Sequence, residues 1–130
     1  MKATPVVLAV DHNRRNLELL DQFLGREGYQ TRMVTGLEEF DRALAEPDEI
    51  ALALVDIAGF DRRIWERCEA LRHHKIPFLV LSPRQSAAIQ QASLTHGAHG
   101  VLVKPLTVKD LMSLICRLLQ ETTDGEEGDA

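Results

Sequence analysis

Cysteine is nearly absent from this 130-residue chain, and the two present, Cys68 and Cys116, stand apart from each other. They lack metal-ligand spacing, and a chain of this length needs no disulfide staple, so both read as reduced packing residues. Aromatic residues are few, at 5%, which leaves aliphatic side chains to fill the interior. Positive charge is not in excess either. The last ten residues hold five acids and no base, leaving fifteen acids and fifteen bases in residues 1–120, without a Lys/Arg run. A near-neutral body of this kind lacks the electrostatic footprint for direct nucleic-acid binding or for an anionic membrane surface. Long hydrophobic stretches are missing at the start of the chain, where residues 6–10 are apolar but Asp11 interrupts them. That stretch is too short for a signal-peptide core or a bilayer span, so a cytoplasmic location without membrane contact is expected.

What is present is ordinary globular composition, 45% hydrophobic and 27% charged, in a length that suits one core. Short apolar runs recur at residues 5–10 (PVVLAV), 50–55 (IALALV), 77–81 (PFLVL) and 100–103, with a weaker one at 29–34. Continuous apolar runs of this length are the mark of strands buried on both faces. Between them lie helical patterns. Asn13 caps the first, which carries Leu17, Leu20 and Leu24; Gly36 opens the second, which carries Leu37, Phe40 and Leu44 and closes at Pro47. A third spans 62–73, and a fourth spans 87–96 and ends at Gly97. The fifth follows Pro105, with Thr107 and Asp110 at capping-box spacing before Leu111, Ile115 and Leu118. The alternation predicts an α/β, three-layer doubly wound fold around a five-stranded parallel sheet. One domain is expected over residues 1–121, with the acidic, Gly-containing residues 122–130 a disordered tail or the start of a linker.

In an open parallel sheet the strand C-termini line one crevice, where ligands bind. Here the runs end at Asp11, Asp56, Ser82 and Lys104. A carboxylate can attack phosphorus to form an acyl phosphate, a divalent cation can screen the oxygens, and a hydroxyl and an ammonium can hold the transferred group. Each residue also has a plainer reading. Asp11 and Asp56 suit loop caps, Ser82 before Pro83 suits a turn, and a lysine at a strand end often reaches solvent. Lys104 is the most telling of the four, because its burial would require an anionic partner.

The segments VVLAVDH, IALALVD, FLVLS and GAHGVLVKP, in this order and spacing, resemble the receiver domain of two-component response regulators over residues 5 to about 120. The resemblance implies a flavodoxin-like receiver fold with strand order 2-1-3-4-5. It implies Asp56 as phosphoacceptor, Asp11 in an acidic pocket for Mg²⁺, and Ser82 and Lys104 in contact with the phosphoryl group. Pro105 matches the proline that follows the family's lysine through a cis peptide, a geometry open to X-Pro bonds at small cost. The implied activity is that of a phosphorelay switch rather than an enzyme, charged by a histidine kinase or phosphotransfer protein. A homodimer through the helix 4, strand 5, helix 5 face is a further expectation.

The chain departs from the family pattern at several positions. His12 stands where the family has a second acid, and imidazole is a poor ligand for hard Mg²⁺, so His12 is a weaker candidate ligand and reduced metal affinity is expected. The loop after Asp56 reads Ala58, Gly59, Phe60, Asp61, with Ile64 at a position where the family has Gly, which predicts a reshaped loop. Pro83 follows Ser82, and Val101 occupies the place of the aromatic that reports phosphorylation. These departures motivate a second hypothesis, a receiver-fold interaction module that works without phosphorylation. A flavodoxin-like FMN protein would share the fold, but the turn after the first strand offers no phosphate-cradling loop.

Overall fold

Five strands and five helices alternate along the chain in the computed structural model, which describes residues 4–129 and their side chains as far as Gln120. The elements are β1 (Val6–Val10), α1 (Arg14–Arg26), β2 (Gln30–Val34), α2 (Leu37–Leu44), β3 (Leu52–Asp56), α3 (Arg63–His73), β4 (Phe78–Ser82), α4 (Ala87–Thr95), β5 (Gly100–Val103) and α5 (Val108–Asp129). All strand pairs are parallel, in the order β2-β1-β3-β4-β5. The expected α/β doubly wound sheet is therefore the observed one.

Every residue of β3 and of β4 is buried, as are four of the five in β1, because helices cover both faces of the sheet. Alternate side chains divide between two cores. Leu8, Val10, Ala53, Val55, Phe78 and Val80 meet Phe40, Ile64, Cys68 and Leu71 from α2 and α3. On the other face, Val7, Leu52, Leu54, Leu79 and Leu81 meet Leu24, Leu111, Ile115 and Leu118 from α1 and α5. The edge strands β2 and β5 are only partly buried, as expected where one side lacks a neighbour.

Two boundaries differ from the sequence reading. The third strand starts at Leu52 rather than at residue 50, because a 3₁₀ turn over Pro47–Glu49 delivers the chain and the Ile50 N–H donates to the Pro47 carbonyl. Helix α5 continues to Asp129, past the end expected near Glu121. The side chains of residues 121–129 and all of Ala130, on which the expected tail falls, lie outside the described residues.

The crevice is set by the strand ends. Asp56 and Ser82 are the last residues of β3 and β4, whereas Asp11 and Lys104 are the first residues beyond β1 and β5. Backbone bonds fix this edge. The Asp11 N–H donates to Val34 O at 3.1 Å, Ile57 N–H to Leu81 O at 3.2 Å, and Lys104 N–H to Ser82 O at 2.9 Å.

Candidate functional site

Asp56 is 1% exposed. Its Oδ1 accepts the Ala58 N–H at 3.0 Å, which draws the β3–α3 loop over the strand end. Its Oδ2 has no hydrogen-bond partner of sound geometry among the described residues, but the Lys104 ammonium forms an ion pair with it. A carboxylate this deep requires such a countercharge. Lys104 also lies 3.9 Å from Asp11 Oδ2, so one cation bridges the two acids.

Asp11 is held on both oxygens: Oδ1 accepts the Asn13 N–H at 2.8 Å, and Oδ2 accepts the Asn16 side-chain amide at 3.3 Å. Burial pushes its carboxyl above the ordinary value, the Asp56 charge adds to the rise, and the bonds from Asn13 and Asn16 and the Lys104 charge oppose it. Asn13 caps α1 as expected, its Oδ1 accepting from the N–H groups of Arg15 and Asn16. Asp11, His12, Asn16, Asp56, Gly59 and Lys104 together line an open depression of about 560 Å³.

His12 sits at the rim of this depression. Its exposed ring meets Phe60 edge-on, with ring centroids 5.6 Å apart. It also covers Gly59, where φ is +84° and an added Cβ would come within 3.2 Å of His12 Cβ. The loop after Asp56 is a tight turn in which the Phe60 N–H donates to Ile57 O. Ile64 follows it, buried in the core beneath.

Ser82 is buried at the same edge, but its hydroxyl donates to the Arg84 carbonyl at 2.6 Å. It lines a separate hollow of about 210 Å³ with Arg84, Val101 and Val103. Thus Asp11, Asp56 and Lys104 converge as the sequence predicts, while the Ser82 hydroxyl is engaged by its own loop. The Lys104–Pro105 peptide is cis, as the resemblance implies. Sequence reasoning passed over Asn16; its one signal was its place on the first turn of the helix that leaves Asp11.

A second hollow, of about 370 Å³, adjoins the first and shares Asp11, Asn16 and Lys104 with it. Its walls are apolar, built from Leu20, Phe23 and Leu106 with the exposed Leu19 and Val108. Trp65 faces elsewhere. It stacks on His96 at 5.2 Å, and His96 Nδ1 meets Glu69 Oε2 at 2.9 Å, which ties α3 to the end of α4. No described helix is long and apolar enough to cross a membrane.

The model of the response regulator receiver domain matches residues 7–116. The transcriptional regulatory protein GltR of Pseudomonas aeruginosa is 31% identical over 118 residues, 88% of this chain and 48% of that protein. The response regulator MprA of a Mycobacterium species is 31% identical over 128 residues, 95% of this chain and 54% of that protein. The chain thus spans about half the length of these curated relatives. Among solved structures, a CheY-like response regulator receiver domain protein from Methanospirillum hungatei superposes with a TM-score of 0.81 at 25% identity, covering 95% of this chain and 99% of that one. A two-component response regulator from Clostridium difficile gives 0.83 at 20% identity, with 91% and 98% covered, and shares the fold. Sheet order, acidic crevice and sequence match agree, and the chain belongs to the response regulator receiver domain family of two-component signalling.

Proposed function

We propose that this domain is a phosphorylation switch in which Asp56 accepts a phosphoryl group from the phosphohistidine of a histidine kinase or phosphotransfer protein. The observation that carries this reading is the Lys104 ammonium paired with the buried Asp56 carboxylate beside Asp11. In the transfer an Asp56 oxygen attacks phosphorus and the P–N bond breaks. The electron pair returns to the imidazole nitrogen, and an acyl phosphate remains. Lys104 then has a phosphoryl oxygen as well as a carboxylate to neutralise. The domain carries one group at a time and turns over no small molecule.

The donor atoms fit Mg²⁺, which takes one or two carboxylates, keeps several waters and shares phosphate oxygens. Asp56 Oδ2 lacks a hydrogen bond, and Asp11 supplies a second carboxylate in the same depression. Asp11 and Asp56 would hold the ion, which supplies charge neutralisation as the phosphoryl group arrives. His12, with a softer nitrogen and a ring packed on Phe60, is the weaker candidate at the rim. No cluster of three or more His, Cys, Asp or Glu side chains suited to a metal forms among the described residues, so the ion would rest on these two carboxylates and its own waters.

The apolar hollow beside Lys104, with Leu19 and Val108 exposed, supports a protein as the phosphodonor, since a small acyl phosphate has no use for such a surface. Leu94 and Val103 are exposed on α4 and β5, the face proposed for a homodimer. Cytoplasmic residence, without contact to nucleic acid or membrane, completes the reading.

Incubation with Mg²⁺ and acetyl phosphate followed by intact-mass measurement tests the acceptor. The wild type is expected to gain one phosphoryl group and Asp56→Asn none; a wild type left unlabelled under conditions that label an ordinary receiver overturns the reading. The bond from Ser82 Oγ to Arg84 favours a second reading, a module that binds its partner without phosphorylation. In that case Asp56→Ala leaves partner binding unchanged, whereas the switch predicts that it removes the phosphorylation-dependent change.

A further inference from the structure

Two acids normally share the work of an acidic cation pocket, and here the residue after Asp11 is His12, turned onto Phe60 and Gly59 at the rim. Asp11 nevertheless keeps a second polar support. Asn16 donates its side-chain amide to Asp11 Oδ2 at 3.3 Å, on the oxygen that also faces Lys104. The Asn16 backbone is fixed in turn, because its own N–H donates to Asn13 Oδ1 at 3.3 Å in the first turn of α1. Its side chain lines both the acidic depression and the adjoining apolar hollow. Helix formation does not explain an asparagine there: Asn is a poor helix former, and a neutral amide gains nothing from the positive end of the helix dipole, where Glu or Asp would.

We infer that Asn16 is the positioning residue of the cation pocket, holding Asp11 Oδ2 beside Asp56 in the arrangement a hard divalent ion requires. The Asn13 N–H alone holds only Oδ1, so rotation of the carboxylate about its Cβ–Cγ bond is opposed by a single hydrogen bond. A second donor from α1 adds to that restraint, and outer donors of this kind are commonly worth tenfold or more in metal affinity.

The role of Asn16 rests on the reading of Asp11 and Asp56 as an Mg²⁺ pocket, and calorimetric titration with Mg²⁺ alone separates the two claims. Asn16→Leu, close in shape but without a donor, is expected to weaken Mg²⁺ binding by about tenfold. Asn16→Gln, which keeps an amide donor one methylene further out, is expected to bind Mg²⁺ more tightly than Asn16→Leu. Thermal midpoints of both variants check that they are folded. A measurement on the unaltered protein needs no variant. The chain has only two asparagines, Asn13 and Asn16, so their side-chain amide resonances are readily assigned, and that of Asn16 is expected to shift as Mg²⁺ is added. Equal Mg²⁺ affinity in wild type and Asn16→Leu, or an Asn16 amide that stays unmoved at saturation, overturns the role of Asn16. Absence of Mg²⁺ binding by the wild type overturns the pocket itself.

Discussion

Cys68 and Cys116 sit 48 positions apart in sequence and occupy opposite environments. Cys68 is fully buried in the core beneath α3, and burial pushes its thiol up to about 12, with Glu69 adding to the rise. Cys116 is exposed on α5, with Tyr29 Oη 3.6 Å from its sulfur. Since only thiolate reacts, and only where reagent can reach it, Ellman's reagent should titrate one thiol in the native protein and two after denaturation. Cys116→Ser should remove the native signal; a fast second thiol would show that α3 opens readily. Both thiols are free, as read from sequence, but only Cys68 is the packing residue expected there; Cys116 is exposed because it lies on the outer side of α5.

At the scale of the element, helix α2 shows how a short helix is fixed at its start. Its N-cap is Gly36, which offers no side chain to accept a first-turn N–H, and the chain leading into it is held instead by Glu39, whose Oε1 accepts both the Thr35 N–H at 3.0 Å and the Thr35 hydroxyl. Those two bonds hold the Glu39 carboxyl below its ordinary value of 4.5. Glu39→Ala should therefore cost about 0.5–1 kcal/mol at neutral pH, in urea unfolding. Because the folded-state value is depressed, the contribution is complete above 4.5 and is lost as pH falls through the lowered folded value. The difference between variant and wild type should then shrink in acid, and a difference constant with pH would assign the effect to packing.

Elements were also the scale at which sequence was most legible. Strands β1, β3 and β4 announced themselves because a strand covered on both faces must be apolar at every position. The residues at the C-termini of parallel strands fall at one edge of the sheet, which brought Asp11, Asp56 and Lys104 together. Rotamers could not be read in this way. The Ser82 hydroxyl chooses the Arg84 carbonyl because the loop after Pro83 folds back within reach. His12 chooses Phe60 because Gly59 leaves room for the ring. Trp65 and His96 are joined only once α3 and α4 pack side by side. Such contacts depend on tertiary neighbours that no local pattern names.

For the whole molecule, the core residues of α5 among the described side chains are Leu111, Ile115 and Leu118, all before residue 121. The domain proposed for residues 1–121 contains every described side chain assigned to the two cores. A chain ending at residue 121 keeps all of these core side chains and should melt within about 2 °C of the full one. A drop of ten degrees would show that the acidic segment is part of the fold.

The Asp56 carboxylate joins three loops: one oxygen holds the Ala58 N–H, the other meets Lys104, and Lys104 reaches Asp11. In wiring terms, the site is a junction box rather than the end of a cable. A covalent mark written on either oxygen alters a terminal shared by the β1–α1, β3–α3 and β5–α5 connections at once. Under the proposed function, a signal written there would need no relay through the core to become a change of surface, since the three circuits already meet at one carboxylate.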